Sequence, residues 1–159
     1  MSQFDAISSY LPPGEGYLPK WLLFISVVSL ANSIQSYTSL AGTRAVYSGT
    51  VPSKPSGVPS STLRSSSLES TSPVTALSAR TFGTWTAITS IIRLYAAYNI
   101  ANQPVYEMAL WTFGVAWLHF VSEWLVFGTA RFGKGLIGPL VVSTATGLWM
   151  VSQKGFYVQ

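Results

Sequence analysis

Four long stretches of mostly apolar residues constrain the fold more than any other feature of the chain. A helix that crosses the hydrocarbon core of a membrane needs about 20 such residues, because each advances it by about 1.5 Å across roughly 30 Å. Stretches of this length cover residues 20–40, 79–100, 104–127 and 135–153. We therefore predict an all-α integral membrane protein, a single domain built as a bundle of four transmembrane helices.

The scarcity of charge supports lipid as the surroundings of most of the surface. Charged residues make up 9% of the chain, whereas about 25% is usual in a soluble domain. The net charge of +4 is dispersed, which argues against a nucleic-acid partner. No basic region precedes the first stretch, as it would in a cleaved signal, so we expect that stretch to remain as a span.

The connections differ sharply in length. Residues 101–103 alone separate the second and third spans, which predicts a tight antiparallel hairpin at the centre of the bundle. Residues 42–78 are rich in Ser and Pro and lack hydrophobic periodicity, which predicts a long flexible loop outside the membrane. Basic residues gather in this loop and in the third connection, so the positive-inside rule places the loop in the cytoplasm.

Ionisable residues inside the predicted spans need partners, because an unpaired charge at membrane depth is costly. The residues concerned are Arg93, Glu107, His119 and Glu123. Counting outward from the hairpin turn, Arg80 lies at the depth of Glu123, and Arg93 lies about 6 Å along the axis from Glu107. We therefore predict two ion pairs across the hairpin.

His119 and Glu123 lie one helical turn apart, as a catalytic or metal-binding pair could. Catalytic zinc usually needs three protein ligands and non-haem iron needs two histidines, but the chain has one histidine and no cysteine. We predict no metal and a structural role for the pair.

The stretch "GKGLIG" at 133–138 has the glycine spacing of a dinucleotide-binding motif, but no acidic residue follows it. We interpret it as a small-residue loop into the fourth span, and predict no cofactor.

The first predicted span carries a stripe of small polar residues. Ser29, Asn32, Ser33 and Ser36 recur at helical spacing, with Gln35 beside them. Small residues allow helices to pack closely in a membrane. The stripe could face the hairpin within the chain or a partner protein, and the sequence leaves both alternatives open.

Short motifs follow one another in a characteristic order along the four predicted spans. They are Asn32 with Gln35 and Ser36, "ARTFGTWT" from Ala79 to Thr86, Ser90 with Arg93, "WTF" from Trp111 to Phe113, "HFVSE" from His119 to Glu123, and "GTA" from Gly128 to Ala130. Together they resemble the ergosterol biosynthesis protein 28 family, small endoplasmic-reticulum membrane proteins of sterol synthesis. Glu107 lies outside this pattern, so its pairing depends on the hairpin geometry alone.

The resemblance implies a multi-pass scaffold of the endoplasmic-reticulum membrane and not an enzyme. Its implied partners are the sterol C-4 methyl oxidase, the C-3 sterol dehydrogenase/decarboxylase and the 3-keto sterol reductase. The alternative function is binding or transfer of sterol or other lipid in the aromatic, charged interior. A cavity that reaches the charges would favour this alternative, and a close-packed interior would favour the scaffold. The sequence does not decide whether copies of this chain associate with one another. The candidate structural or interaction residues are Asn32, Gln35, Arg80, Arg93, Glu107, Trp111, His119 and Glu123.

Overall fold

Five α-helices make up the regular structure of the residues that the structure describes. The structure, a computed structural model, describes residues 10–49 and 72–158. In chain order the helices are α1 (Leu18–Thr38), α2 (Leu40–Val46), α3 (Ala76–Tyr98), α4 (Gln103–Leu125) and α5 (Lys134–Tyr157). The predicted all-α class is confirmed.

Local sequence explains where the long helices begin. Pro19 lies in the first turn of α1, where its missing N–H costs no hydrogen bond. Thr75 and Ser78 form a reciprocal capping box at the start of α3. The side chain of Asn102 accepts a hydrogen bond from the backbone N–H of Val105 and caps α4. α3 and α4 are thus separated by residues 99–102 only.

Small residues bring α1 and α3 into close contact. The Ser33 hydroxyl donates to the Gly83 carbonyl at 2.7 Å, and the Ser90 hydroxyl donates to the Ser26 carbonyl at 2.6 Å. A Cβ on Gly83 would lie 2.9 Å from the Tyr37 ring, so any larger residue here would displace that ring. The polar stripe of the first span therefore contacts a helix of the same chain.

Two apolar clusters form the core, one towards each end of the long helices. The first joins the start of α1, the end of α3, the start of α4 and the end of α5, through residues such as Leu22, Ala97, Tyr106, Phe113 and Met150. The second joins the start of α3, the end of α4 and the start of α5 to α2, around Tyr47, Ala79, Ala116, Phe120 and Leu136. The two clusters hold the helices side by side along their length.

Large apolar side chains also cover the outer surface of the long helices. Phe24, Ile88, Trp111 and Leu148 are more than half exposed, one on each long helix. Among the described helices, only α5 is both long and apolar enough to qualify as a candidate membrane span by length and composition. The four-span bundle and its central hairpin therefore remain predictions.

The predicted flexible loop at 42–78 is wrong at both of its ends. Residues 42–46 belong to α2, which the Ser39 side chain caps by accepting a hydrogen bond from the Ala41 N–H at 3.2 Å. Residues 76–78 form the first turn of α3. The middle of the predicted loop, residues 50–71, lies outside the described residues.

The "GKGLIG" stretch is not the loop that the sequence analysis predicted. Only Gly133 precedes α5, and its carbonyl accepts hydrogen bonds from the N–H groups of Leu136 and Ile137. A Cβ on Gly135 would lie 2.1 Å from the Ala45 carbonyl oxygen, so this glycine lets α5 pack directly against α2. Close packing of α5 against α2 thus explains why position 135 is a glycine.

Candidate functional site

A line of polar side chains runs from the end of α2 along the last turns of α4. The Tyr47 hydroxyl and His119 Nε2 are 2.6 Å apart, and His119 Nδ1 lies 4.0 Å from Glu123 Oε1. The second distance is too long for a hydrogen bond. The Thr129 hydroxyl donates to the Glu123 carboxylate and ends the line. Tyr47, His119, Glu123 and Thr129 are called the His119 cluster below.

The turn after α4 brings Thr129 back onto Glu123. Gly128 has φ of 66°, a left-handed conformation that favours glycine and reverses the chain. The Ala130 N–H then donates to the Glu123 carbonyl at 3.1 Å. The Gly49 N–H donates to the Thr129 carbonyl at 2.9 Å and ties the segment after α2 to this turn. The cluster is therefore fixed by backbone contacts from two connections.

The protonation state of Tyr47 limits what the His119 cluster can do chemically. Burial raises the pKa of Tyr47 well above its usual range, and the nearby Glu123 carboxylate raises this pKa further. The phenol therefore stays protonated at neutral pH and can donate to His119 Nε2. The imidazole proton then lies on Nδ1, towards Glu123. Such a line can hold a ligand oxygen by hydrogen bonds, but Tyr47 does not become a phenolate nucleophile.

A cavity of about 710 Å³ opens beside the His119 cluster. All four residues of the cluster line it, and the apolar part of the wall includes Leu77, Phe82, Trp85 and Val115. The His119 ring packs against Trp85 with centroids 5.6 Å apart. Ligand sites in proteins typically have volumes of about 300–1,000 Å³ and apolar walls with a few polar groups, so this cavity has the character of a binding site.

Arg93 is a second buried polar centre, five residues before the end of α3. It is 7% exposed, and its guanidinium carbon lies 4.0 Å from the centre of the Phe113 ring. Nε donates to the Thr112 hydroxyl at 2.9 Å, and the terminal nitrogens donate to the Ser29 hydroxyl at 3.3 Å and the Thr112 carbonyl at 3.4 Å. Arg93 thus connects α3 with both α1 and α4.

A second cavity, of about 700 Å³, lies over Arg93. Residues from all five helices line it, and Asn32 and Gln35 of the predicted polar stripe are among them. Phe82 and Trp85 line both cavities and separate the His119 cluster from Arg93. The structure therefore places buried polar groups beside two cavities.

The two ion pairs predicted across the hairpin are wrong. Arg93 contacts Thr112 and not Glu107, whose carboxylate lies 2.8 Å from Lys154 Nζ on α5. Within the described ranges, Arg80 forms no ion pair with Glu123, whose carboxylate instead accepts from Thr129. Distance along the axis sets the depth of a side chain, but its angular position decides which neighbour it faces. Glu107 faces α5, so it cannot meet Arg93.

The remaining sequence candidates lie apart from these polar centres. Arg80 and Trp111 are exposed, and neither lines either of these two cavities. Glu107 is partly exposed and also accepts a hydrogen bond from Gln103 at 2.9 Å. Among the residues that the structure describes, no group of three His, Asp or Glu side chains could hold a metal ion.

Two residues at the polar centres, Thr112 and Tyr47, were not predicted from the sequence. Counting outward from the hairpin turn places Thr112 at the depth of Arg93. The sequence therefore contained a signal for Thr112, but one that concerns an uncharged partner. Tyr47 lies beyond the first predicted span, in a stretch that the composition assigned to the loop. No sequence signal connected Tyr47 with His119, 72 residues later.

Comparison with known proteins gives consistent matches over most of the chain. The family model described as "Erg28 like protein" matches residues 18–148. The chain is 46% identical to ergosterol biosynthetic protein 28 of Candida albicans over 158 residues, which cover 99% of each protein. It is 46% identical to the Saccharomyces cerevisiae protein of that name over 144 residues, 90% of this chain and 84% of the relative. It is 34% identical to the human homolog over 134 residues, 84% of this chain and 82% of the relative. No solved structure matches.

Proposed function

The chain belongs to the Erg28-like family of ergosterol biosynthetic proteins, and from this premise we propose that it serves sterol biosynthesis as a non-catalytic membrane scaffold. The proposed partners are the sterol C-4 methyl oxidase, the C-3 sterol dehydrogenase/decarboxylase and the 3-keto sterol reductase. The proposed location is the endoplasmic-reticulum membrane, crossed several times. In this role the chain holds enzymes near one another and carries out no chemical step itself.

The four-span arrangement is part of this proposal. The long helices contain 21, 23, 23 and 24 residues. At about 1.5 Å per residue the shortest spans roughly 31 Å, enough for the hydrocarbon core. Their outward apolar side chains suit lipid contact or the surfaces of other membrane proteins. α1 and α3 carry more Ser and Thr than α5, and α3 and α4 carry more aromatic residues than α5.

The observation that carries the scaffold proposal is that polar side chains form hydrogen bonds between helices. Tyr47 connects the end of α2 to His119 of α4, and Arg93 connects α3 to α1 and α4. Polar contacts between helices stabilise one arrangement of a membrane bundle, as a docking platform requires.

The test compares His119→Ala and Glu123→Gln with the unchanged chain in cells that depend on it. Complex yield and sterol profile are measured on the same cultures. A scaffold predicts that a variant with less complex accumulates C-4-methylated sterols in proportion, while each enzyme keeps its activity in extracts. A variant that assembles normally with all three enzymes yet blocks demethylation would refute the non-catalytic role.

Binding of sterol or other lipid is a second candidate function, and the two cavities favour it. They reach the His119 cluster and Arg93, the arrangement that distinguishes a lipid-binding interior from a close-packed one. The test is lipid extraction from the purified chain followed by mass spectrometry. Stoichiometric sterol supports this function, and bulk phospholipid alone contradicts it.

A further inference from the structure

Arg93 carries a buried positive charge whose contacts are all uncharged. Its partners are the Thr112 hydroxyl and carbonyl, the Ser29 hydroxyl and the Phe113 ring. Within residues 10–49 and 72–158, no carboxylate lies within 4.0 Å of it. Burying a charge without a counter-charge is strongly unfavourable, so buried charges in proteins are normally paired. The environment of Arg93 is therefore electrostatically incomplete.

The guanidinium has hydrogen-bond donors left to complete that environment. It carries five N–H groups, of which the contacts with Thr112 and Ser29 use one on each nitrogen. One N–H therefore remains on each terminal nitrogen. Two N–H groups on one guanidinium match the two oxygens of a carboxylate, which is the most favourable pairing for arginine.

The cavity over Arg93 determines what else the ligand must look like. Among the described residues that line its volume of about 700 Å³, Arg93 is the only charged one. Most of the wall is apolar, with Ile25, Phe82, Phe120 and Val142 contributed by α1, α3, α4 and α5. The ligand therefore combines a bulky apolar body with one acidic group. A phosphate dianion carries two negative charges, of which Arg93 would balance only one, and the other would lie uncompensated among apolar walls.

We propose that this cavity binds a carboxylated sterol, with the carboxylate on Arg93 and the ring system against the apolar wall. The choice of a sterol as the apolar body depends on the proposed function. An oxidase and a decarboxylase that together remove one methyl carbon must exchange a carboxylic acid, since that is the form in which carbon leaves as carbon dioxide. The ligand is thus the product of the oxidative step and the substrate of the decarboxylating step, held between the two enzymes.

The experiment measures saturation binding of two radiolabelled probes to the purified full chain in lipid nanodiscs. The probes are a sterol with a carboxyl group at C-4 and the same sterol with a methyl group there. We expect the carboxylated probe to bind at least about tenfold more tightly, the factor for one charge-assisted hydrogen-bonded pair. Arg93→Gln should remove this preference and Arg93→Lys should keep part of it. Arg80→Gln, an exposed position on the same helix, is the matched control and should leave the preference unchanged.

A second pair of variants tests the cavity without touching the charge. Gly138 lines the cavity, and a Cβ there would meet no atom within 4 Å, so Gly138→Leu adds a bulky side chain to the cavity wall with no clash at its Cβ. Gly155 on the same helix is equally open but lines neither cavity, so Gly155→Leu is its control. We expect Gly138→Leu to weaken binding of the carboxylated probe at least about tenfold, and Gly155→Leu to leave it unchanged.

Several results would overturn the inference. They are equal binding of the two probes to the unchanged chain, a preference that survives Arg93→Gln, and full binding to Gly138→Leu. If Arg93→Gln fails to fold, two measurements still test the proposal. They are the comparison of the two probes on the unchanged chain and the comparison of Gly138→Leu with Gly155→Leu. Co-purification of the three enzymes is measured separately. Enzymes that co-purify with a chain showing no carboxylate preference refute the ligand alone, whereas a preference without co-purification refutes the scaffold alone.

Discussion

Replacing Gly135 by alanine should destabilise the fold, although alanine favours helices. A Cβ at this position would lie 2.1 Å from the Ala45 carbonyl oxygen and 2.9 Å from the Val46 nitrogen. Ordinary contact begins at 3.4 Å, so α2 and α5 would have to separate by about 3.4 − 2.1 = 1.3 Å. The obstacle is backbone, which cannot rotate away as a side-chain tip can. Gly138, one turn later, would meet nothing within 4 Å and is the matched control.

The magnitudes separate the two variants clearly. Alanine in place of glycine in a helix contributes at most about 1 kcal/mol of stability. Overpacking costs about 1–3 kcal/mol, and contact with backbone places Gly135→Ala at the upper end of that range. We expect Gly135→Ala to lose about 2 kcal/mol and Gly138→Ala to gain up to about 1 kcal/mol, by subtraction of these two effects.

Thermal unfolding in detergent, followed by circular dichroism, measures the difference. For a chain of this size about 1 kcal/mol corresponds to roughly 2–4 °C, so Gly135→Ala should unfold about 4–8 °C below the unchanged chain. Gly138→Ala should unfold at or slightly above it. Equal midpoints for the two variants would show that α2 does not contact the start of α5 as the structure has it.

Three further predictions concern the polar side chains. Tyr47→Phe keeps the ring but removes the hydroxyl that meets the imidazole, so the unfolding midpoint should fall by about 2–4 °C, equivalent to about 1 kcal/mol; an unchanged midpoint would argue against that hydrogen bond. Lys154→Gln removes the ion pair with Glu107, but both side chains are more than a third exposed, so the midpoint at physiological salt should not change measurably. Exchanging the charges of Arg80 and Glu123 should recover none of the stability lost in the single variants, because the structure shows no ion pair between them. Recovery of stability in this double-mutant cycle would be evidence that the two side chains do form an ion pair.

The sequence predicted the helical class because long apolar stretches with few breakers have few other ways to satisfy their backbone. The four long helices overlap the four predicted stretches, and proline or capping residues explain three of their starts. α2 was not predicted because seven residues carry too little periodicity to distinguish a helix from the Ser- and Pro-rich stretch that follows. Its position depends on contacts with α5 that are distant in sequence.

The candidate site was predicted less completely, for a physical reason. The sequence singled out Arg93, His119 and Glu123 because ionisable groups are rare in such stretches. The ion-pair partners predicted for Arg93 and Glu123 were wrong because spacing along a helix determines depth, whereas tertiary packing determines angular position. Thr112 and Tyr47 are uncharged, so nothing in the charge pattern pointed to them. The cavities arise from the spacing of several helices and have no signature in any one segment.

The scaffold role is tested most directly by affinity purification of the full chain from membranes dissolved in a mild detergent. The co-purifying proteins are identified by mass spectrometry, with an unrelated endoplasmic-reticulum membrane protein carrying the same tag as control. We predict that the C-4 methyl oxidase, the C-3 dehydrogenase/decarboxylase and the 3-keto reductase co-purify with this chain and not with the control. A chain that sustains sterol demethylation in cells, yet purifies with none of the three enzymes under conditions that preserve other membrane complexes, would contradict the scaffold role.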